Sequence, residues 1–271
     1  MKDVLNKKEK SEIEASIIIC VWNNLTHTMN CLESIVKYTH LSYEIILIDN
    51  HSEEPVIQTT MDFLNKNNID YTIVLNKENK GFIKATNQGI KLARGQFIVL
   101  LNNDVKVTNN WLTKMIDIIN NNKRIGIVSC LASPSNIGWQ PINNLRGKVS
   151  WLKDLPTYEG KTVDEYAKIV EDTYRGKYKT VGMVAFFCTV IKKNVVNDIG
   201  LLDEDYGIGL IDDVDYCQRA SLKGYMIALA LDTYVYHYHR ATFDRLNIDW
   251  REIVKENKKK FQKKFGKLYC W

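Results

Sequence analysis

Short, unbroken apolar runs alternate along the chain with longer stretches in which apolar residues recur every three or four positions. The runs predict strands buried on both faces, and the longer stretches predict helices with one buried side. The predicted strands lie at 16–21, 43–48, 71–75, 97–101 and 125–130, with helices between them. Five such alternations predict a single Rossmann-like α/β domain with a mainly parallel, right-handed central sheet flanked by helices.

The regular alternation ends near residue 133, and the next part, 134–180, predicts a helical and irregular insert. Its aromatic residues, including Trp139 and Trp151, either stack on a sugar or anchor an irregular segment. The elements predicted elsewhere are helices at 163–174, 194–199 and 210–223, strands at 181–191, 225–230 and 233–236, and a basic helix at 249–267 packed through Phe261 and Phe265. The predicted organisation is a flexible leader (1–15), a domain (16–243) with a nucleotide-binding half (16–133), the insert (134–180) and an acceptor half (181–243), and a C-terminal basic helix (244–271).

Composition places the chain among ordinary globular proteins, with 45% apolar and 25% charged residues. The net charge of +5 resides largely in residues 255–267 and does not indicate nucleic-acid binding across the surface. Six scattered cysteines without a C-x-x-C pair predict reduced core thiols. The N-terminus has no apolar signal core, and no apolar run is long enough to span a bilayer. We therefore expect a cytoplasmic protein that at most rests on a membrane surface through its basic C-terminal helix.

Two predicted strands end in short polar side chains. The run at 97–101 leads into Asn102-Asn103-Asp104, and the run at 43–48 leads into Asp49 and Asn50. Ligands of open α/β sheets bind at the carboxyl ends of the strands. Asp104 there can hold a divalent cation, which can hold a diphosphate, or it can cap the following helix. Asp49 can accept a hydrogen bond from a base or ribose, or it can form a turn.

The polar residues follow one another in an order that resembles the family 2 glycosyltransferases with the GT-A fold. Each piece alone is a weak motif, whereas the ordered series is specific, and the resemblance covers residues 16–243. The pieces are Trp22-Asn23, Asp49-Asn50-x-Ser52, Asn79-Lys80-Gly81-Phe82 with Asn87, Asn102-Asn103-Asp104, Gly200-Leu201-Leu202-Asp203-Glu204, Asp212-Asp213-Val214-Asp215 with Arg219, and His237.

The resemblance implies an inverting transferase that moves a sugar from a nucleotide-diphosphate donor, a UDP-sugar in particular, to an acceptor hydroxyl on a glycan, lipid-linked sugar or protein. It implies Mn²⁺ or Mg²⁺ held by Asp104 and His237, and Asp213 as the general base that takes the acceptor proton. The residues that it assigns to the nucleotide sugar are Trp22, Asn23, Asp49, Asn50, Lys80, Gly81, Asn87, Asn102 and Asn103.

Several of these positions admit a second interpretation. Asn102 replaces the first Asp of the family's D-x-D motif, which removes one negative charge and leaves Asp104 as the main carboxylate. Acidic residues also favour a helix N-terminus, and Arg219 is spaced for an ion pair with Asp215, so Asp215 is expected to be structural. His237 can be a buried core residue, with His239 as the second candidate ligand.

Two other functions share the expected fold. A sugar nucleotidyltransferase would carry a Gly-rich basic loop after the first strand, where this chain has Trp22-Asn23-Asn24. A non-catalytic nucleotide-sugar binding module would tolerate Asn102 but has no need of Asp213. The transferase interpretation accounts for the largest number of motifs.

Overall fold

A ten-stranded sheet runs through the part of the chain that the computed structural model describes, which comprises residues 3–7, 12–133, 158–238 and 250–266. The strand order is β1-β4-β3-β2-β5-β9-β7-β10-β6, and β8 also pairs with β10. The strands are β1 (Asp3–Lys7), β2 (Ala15–Val21), β3 (Tyr43–Asp49), β4 (Asp70–Leu75), β5 (Phe97–Leu101), β6 (Val105–Lys106), β7 (Ile125–Ser133), β8 (Tyr178–Val181), β9 (Cys188–Lys192) and β10 (Met226–His237).

The sheet is mixed and mostly parallel, which confirms the predicted fold class. Strands β2, β3, β4 and β5 are parallel neighbours, and β10 runs parallel to β7. Strand β9 lies antiparallel between β5 and β7. Successive residues of a strand point to opposite faces, so the apolar run of β2 supplies both cores: Ile17 joins one cluster and Ile18 the other.

Helices cover both faces of the sheet. One face carries α1, α2 and α4, and the other carries α3, α6, α7 and α8. A smaller cluster joins α5 to β7 and β10. The helices of the described residues are α1 (Leu25–Tyr38), α2 (Val56–Lys66), α3 (Gly81–Leu92), α4 (Trp111–Asn121), α5 (Val163–Tyr174), α6 (Lys193–Ile199), α7 (Asp212–Leu222) and α8 (Trp250–Phe265), and a 3₁₀ turn lies at Glu204–Tyr206.

The C-terminal helix behaves as its pattern predicted. Phe261 is 1% exposed and Phe265 is partly buried, both against the core that α3 and α7 share. Among the described residues, none of the helices has both the length and the apolar character that crossing a bilayer requires. The predictions about Trp139, Trp151, His239 and the segment 239–249 lie outside the described residues.

The start of the chain corrects one prediction. Residues 3–7, assigned to a flexible leader, form β1, which pairs antiparallel with β4 at the edge of the sheet. Val4 lies opposite Val74, and Leu5 packs partly against the core. Because charged residues surround these two apolar side chains in sequence, the local pattern contains too little apolar signal to predict a strand.

Two predictions in the second half are also wrong in detail. The single strand predicted at 181–191 is two strands, β8 and β9, separated by the connection 182–187. The two strands predicted at 225–230 and 233–236 are one strand, β10, with an irregularity between Ala230 and Tyr234. The predicted gap fell at Leu231 and Asp232, but both residues are buried, and Asp232 accepts a hydrogen bond from the backbone N–H of Gly176.

Candidate active site

The Asn102-Asn103-Asp104 turn follows β5 directly and is held on three sides. The backbone N–H of Asn102 donates to the carbonyl of Phe187 (2.9 Å). The Asn103 side-chain amide donates to Thr28 Oγ1 on α1 (3.0 Å). The carbonyl of Asp104 accepts from the backbone N–H of Tyr238 (3.0 Å). The turn is therefore fixed at the carboxyl edge of the parallel strands.

Asp104 and His237 meet at this edge although 132 positions separate them in the chain. His237 ends β10 and pairs with Val105 across the short antiparallel ladder to β6. Its Nε2 lies 3.1 Å from Asp104 Oδ1 and 3.4 Å from Asn102 Nδ2. The imidazole stacks on the Phe187 ring, with 5.1 Å between centroids. The structure thus brings together the two residues that sequence reasoning had paired.

The donor set at Asp104 and His237 fits a divalent cation. One imidazole nitrogen and one carboxylate oxygen are ligands that Mn²⁺ accepts. Neighbouring ligands of an octahedral ion with bonds of about 2.1 Å lie about 3 Å apart, as these two atoms do. Within the described ranges, no group of three His, Cys, Asp or Glu side chains is arranged to hold a metal. A cation here would take its other ligands from water and a diphosphate.

The residues at the end of β3 are tied into a network that shapes the neighbouring loops. Asp49 Oδ1 accepts from the backbone N–H of Ser52 (3.2 Å). Asn23 Oδ1 accepts from the backbone N–H groups of Glu53 and Glu54. Trp22 precedes Asn23 and is partly exposed. Asn23 therefore joins the loops after β2 and β3, and donor contact by Trp22, Asn23 and Asp49 stays a prediction.

Asn50 organises the loop that leads into α3. Its Oδ1 accepts from Asn76 Nδ2 (3.1 Å) and from the backbone N–H of Lys80 (3.0 Å). Gly81 then begins α3 with φ of +77°, and a Cβ there would lie 3.2 Å from the Cα of Ile208. Glycine is needed at this position for both its backbone conformation and the close approach.

Asn87 links the two halves of the domain. Its side-chain amide donates to the carbonyl of Leu202 (2.9 Å), and its Oδ1 accepts from the backbone N–H of Leu202 (3.0 Å). The residue is 1% exposed. These contacts give Asn87 a structural role between α3 and the segment before α7, and contact with a nucleotide stays a prediction.

Asp215 is the structural member of the acidic cluster that opens α7. It is fully buried, and its carboxylate lies 2.6 Å from Arg219 Nε and 2.6 Å from Lys264 Nζ. The predicted ion pair with Arg219 is confirmed. The second cation comes from α8, far along the chain, and sequence reasoning missed it because Lys264 belongs to a run of lysines that looks fully solvated.

Asp212 and Asp213 lie in a different electrostatic environment from Asp215. Burial raises the pKa of Asp213 to about 6. Burial, and then the neighbouring charge of Asp213, raises the pKa of Asp212 to about 7. Asp213 Oδ1 accepts from the backbone N–H of Val214 (2.8 Å). A carboxylate with a pKa near neutrality can exchange a proton with a substrate at physiological pH.

The connection 182–187 contacts both α7 and His237. At one end the carbonyl of Val184 accepts from Cys217 Sγ (3.9 Å) on α7. At the other end the Phe187 ring stacks on His237. The loop before α7 also reaches the carboxyl edge, since Ile208 contacts Gly81. These contacts connect α7 and the loop before it with His237 and with the start of α3.

The fold is an α/β sheet whose polar residues gather at the carboxyl ends of its parallel strands. Proteins of this class bind their ligands at that edge of the sheet. Residues 16–200 match the model of Glycosyl transferase family 2. Because this span exceeds half of the 271 residues, the chain belongs to that family. The matched span includes Asp104, whereas Asp213 and His237 follow it.

Curated relatives are larger than this chain. Poly-beta-1,6-N-acetyl-D-glucosamine synthase of Staphylococcus epidermidis (strain ATCC 35984) is 25% identical to this chain over 229 residues. The match covers 83% of this chain and 50% of the relative. The protein of the same name from Staphylococcus aureus (strain COL) is 25% identical over 232 residues, covering 82% and 50%. The chain thus spans about half the length of the curated relatives it matches.

Solved structures share the fold, which confirms the predicted GT-A architecture. GalNAc-T7 with UDP, GalNAc and Mn²⁺ superposes with a TM-score of 0.64 at 17% identity, covering 86% of this chain and 45% of that one. The mannosyltransferase PcManGT from Pyrobaculum calidifontis, with GDP-Man and Mn²⁺, gives 0.64 at 15%, covering 93% and 64%. S. aureus TarS 1-349 with UDP-GlcNAc gives 0.59 at 14%, covering 89% and 64%.

Proposed function

We propose that this chain transfers a sugar, with inversion, from a UDP-linked donor to an acceptor hydroxyl, and that Asp213 is the general base. The observation that carries the proposal is that the connection 182–187 contacts both regions: Val184 accepts a hydrogen bond from Cys217, one turn after Asp213, and Phe187 stacks on His237, which lies 3.1 Å from Asp104. Membership in Glycosyl transferase family 2 supports the reaction class. The solved structures with UDP or UDP-GlcNAc make a UDP-sugar the first donor to test.

The two clusters divide the chemistry between the donor and the acceptor. Asp104 and His237 would hold a divalent cation, which would supply positive charge against a departing diphosphate. Asp213, with its pKa raised toward neutrality by burial, takes the proton of the acceptor hydroxyl as the oxygen attacks the anomeric carbon. Attack from the side opposite the diphosphate gives the inverted product in one displacement. Holding donor and acceptor in line supplies a further part of the acceleration.

Mn²⁺ is the cation we propose for assay. Imidazole suits Mn²⁺ better than Mg²⁺, and Asn102 contributes no charge beside Asp104. Two of the solved structures that share the fold contain Mn²⁺. Donor binding is measured while Mn²⁺ or Mg²⁺ is titrated separately. The metal concentration at which donor binding saturates shows which of the two ions the site prefers, and no acceptor is required.

The test is incubation with a panel of nucleotide sugars, with Mn²⁺, Mg²⁺ or EDTA. UDP-N-acetylhexosamines come first because the curated relatives are named as N-acetylglucosamine polymer synthases. Release of nucleoside diphosphate that depends on metal and rises with an added glycan, lipid-linked or protein acceptor supports the proposal. Release of pyrophosphate would instead indicate a nucleotidyltransferase. Tight donor binding without turnover across all three acceptor classes would indicate a binding module.

Membrane contact stays a prediction that the same preparation can test. Phe261 and Phe265 of α8 pack against the domain and are not available to insert into a membrane. The residues of α8 that can contact anionic lipid are its exposed lysines, such as Lys255 and Lys259. Contact would then be electrostatic and lost at high salt. Cosedimentation with phosphatidylserine vesicles at 50 and 500 mM salt measures it.

A further inference from the structure

Helix α8 packs against the segment that leads to the proposed base. We call residues 203–211 the base loop, since they directly precede Asp212 and Asp213. Phe261 on α8 belongs to the same core cluster as Tyr206 and Ile211 of the base loop. Asn257 lies one turn before Phe261 and is only 2% exposed. A polar side chain so deeply buried needs hydrogen-bond partners, and those partners show what it holds.

The partners of Asn257 all belong to the base loop. Its Nδ2 lies 3.0 Å from the carbonyl oxygen of Tyr206, 3.0 Å from that of Gly209 and 2.9 Å from that of Leu210. An amide group has two hydrogens, so the three carbonyls share them. The base loop is therefore folded around a single side-chain amide.

The backbone that this amide holds is unusual. Leu210 has φ of +70° and Ile211 has φ of +78°. Left-handed backbone is uncommon outside glycine, and a β-branched residue such as Ile adopts it only where its surroundings impose it. Ile211 is the last residue before α7, so its conformation sets the direction in which Asp212 and Asp213 leave the loop.

Two lysines of α8 hold the rest of the base loop. Lys260 Nζ donates to the carbonyl of Asp205 (2.6 Å). Lys264 Nζ joins Asp203 (2.5 Å) to Asp215 (2.6 Å), so it ties the start of the base loop to the first turn of α7. The contacts of α8 thus extend along the whole base loop, and Asn257 bonds to it next to the left-handed residues Leu210 and Ile211.

We propose that Asn257 is a positioning residue for Asp213: by holding the carbonyls of Tyr206, Gly209 and Leu210 it keeps Ile211 left-handed and Asp213 turned toward the acceptor. This inference rests on the proposed function. It concerns the acceptor side of the reaction alone, because within the described part of the chain the hydrogen bonds of Asn257 go to the base loop and not to Asp104 or His237. Its loss should therefore lower kcat and leave donor binding unchanged.

The test compares N257A with V254A in the full chain. Val254 is partly buried on the same helix, so V254A removes packing but keeps the amide. We expect N257A to lower kcat about ten- to a hundredfold, as misplacement of a catalytic group does, with donor KM within about twofold of the wild type. V254A should keep kcat within about twofold. N257S, which leaves room for a bridging water, should fall between N257A and the wild type.

The pH profile of kcat gives a readout that loss of stability alone does not move. The charged or titratable groups near Asp213 are Asp212, Asp215 with its partners Arg219 and Lys264, and Cys217. Asp213 is partly exposed, and if N257A exposes it further, the pKa of Asp213 falls toward its ordinary value. The acidic limb of the profile then moves to lower pH in N257A and stays in place in V254A.

Hydrogen exchange of peptides covering 206–216 decides the inference even without turnover. If the two variants have the same thermal stability, faster exchange of these peptides in N257A than in V254A supports the positioning role of Asn257. Equal exchange in the two variants, or a wild-type pH profile and kcat in N257A, overturns it. Failure of the wild type to turn over any donor counts against the proposed function instead, so the two failures are distinguishable.

Discussion

The two ends of the candidate site are built in different ways. Asp104 directly precedes β6 and His237 ends β10; these two strands pair, and the backbone of Tyr238 also bonds to Asp104, so the sheet fixes both residues directly. Asp213 follows a loop with left-handed Leu210 and Ile211, which contacts from α8 hold from outside. The first end is part of the sheet, whereas the second is attached to it by a helix near the end of the chain.

This difference predicts that the two ends respond differently to mutation. Changes at the Asp104–His237 end should alter metal-dependent donor binding with little effect on the loop. Changes at the Asp212–Asp213 end should alter turnover and stability while donor binding persists. The predictions below test this separation, beginning with the largest expected effect.

Replacing Asp213 by Asn should lower kcat by about 10²- to 10⁴-fold, because the acceptor hydroxyl loses its proton acceptor. Asn has nearly the same shape, so donor affinity should not change. Initial rates of nucleoside diphosphate release, with calorimetric titration of the donor, measure both quantities. Turnover close to that of the wild type would remove Asp213 from the mechanism.

Replacing Asp215 by Ala should destabilise the fold by about 3–5 kcal/mol, because it leaves the cations of Arg219 and Lys264 without their buried partner. Urea unfolding measures the change. The matched control is D172A, since Asp172 pairs with Lys168 on the exposed surface of α5 and its loss should have little effect. Equal stability of the two variants would contradict the structural role of Asp215.

Replacing Asp104 by Ala should weaken Mn²⁺-dependent donor binding by at least about tenfold, because the cation loses its only carboxylate in the Asp104–His237 pair. D117A on the exposed side of α4 is the control and should bind as the wild type does. Calorimetry with and without Mn²⁺ distinguishes a metal effect from a general loss of affinity. Unchanged affinity of D104A in the presence of Mn²⁺ would refute the metal assignment.

Replacing Asp212 by Asn should stabilise the protein at pH 8 by about 1–2 kcal/mol. The folded-state pKa of Asp212 is raised to about 7, above the value of about 3.9 in an unfolded chain. Between these values the folded state binds more protons than the unfolded state, so wild-type stability falls as pH rises through this range. Urea unfolding at pH 4 and pH 8 should show the gain only at pH 8. A gain of the same size at both values would indicate a cause other than ionisation.

Much of the Asp104–His237 end could be predicted from sequence because its signals are local. Apolar runs mark β5 and the strand that ends at His237, and the polar residues follow each run directly. The same signals misled where a buried polar residue continues a strand, as at Asp232. They also missed β1, because its two apolar residues are too few to predict a strand and it is the pairing with β4 that makes this segment one.

The loop-held end depends on contacts that sequence spacing does not show. Asp212, Asp213 and Asp215 stand in one turn of α7, and the partners Arg219, Lys264 and Tyr206 distinguish Asp215 from the others. Asn257 could have been found by one signal: it occupies an apolar-side position between Val254 and Phe261. A polar residue in such a position is expected to be buried with specific partners.

The most direct test of the account is a crystal structure with Mn²⁺ and UDP, with the cation located by its anomalous scattering. We expect one Mn²⁺ bound between Asp104 and His237, its remaining ligands from the diphosphate and water, and the carboxylate of Asp213 facing the same cavity. A cation bound elsewhere, or Asp213 facing a different surface from Asp104, would contradict it.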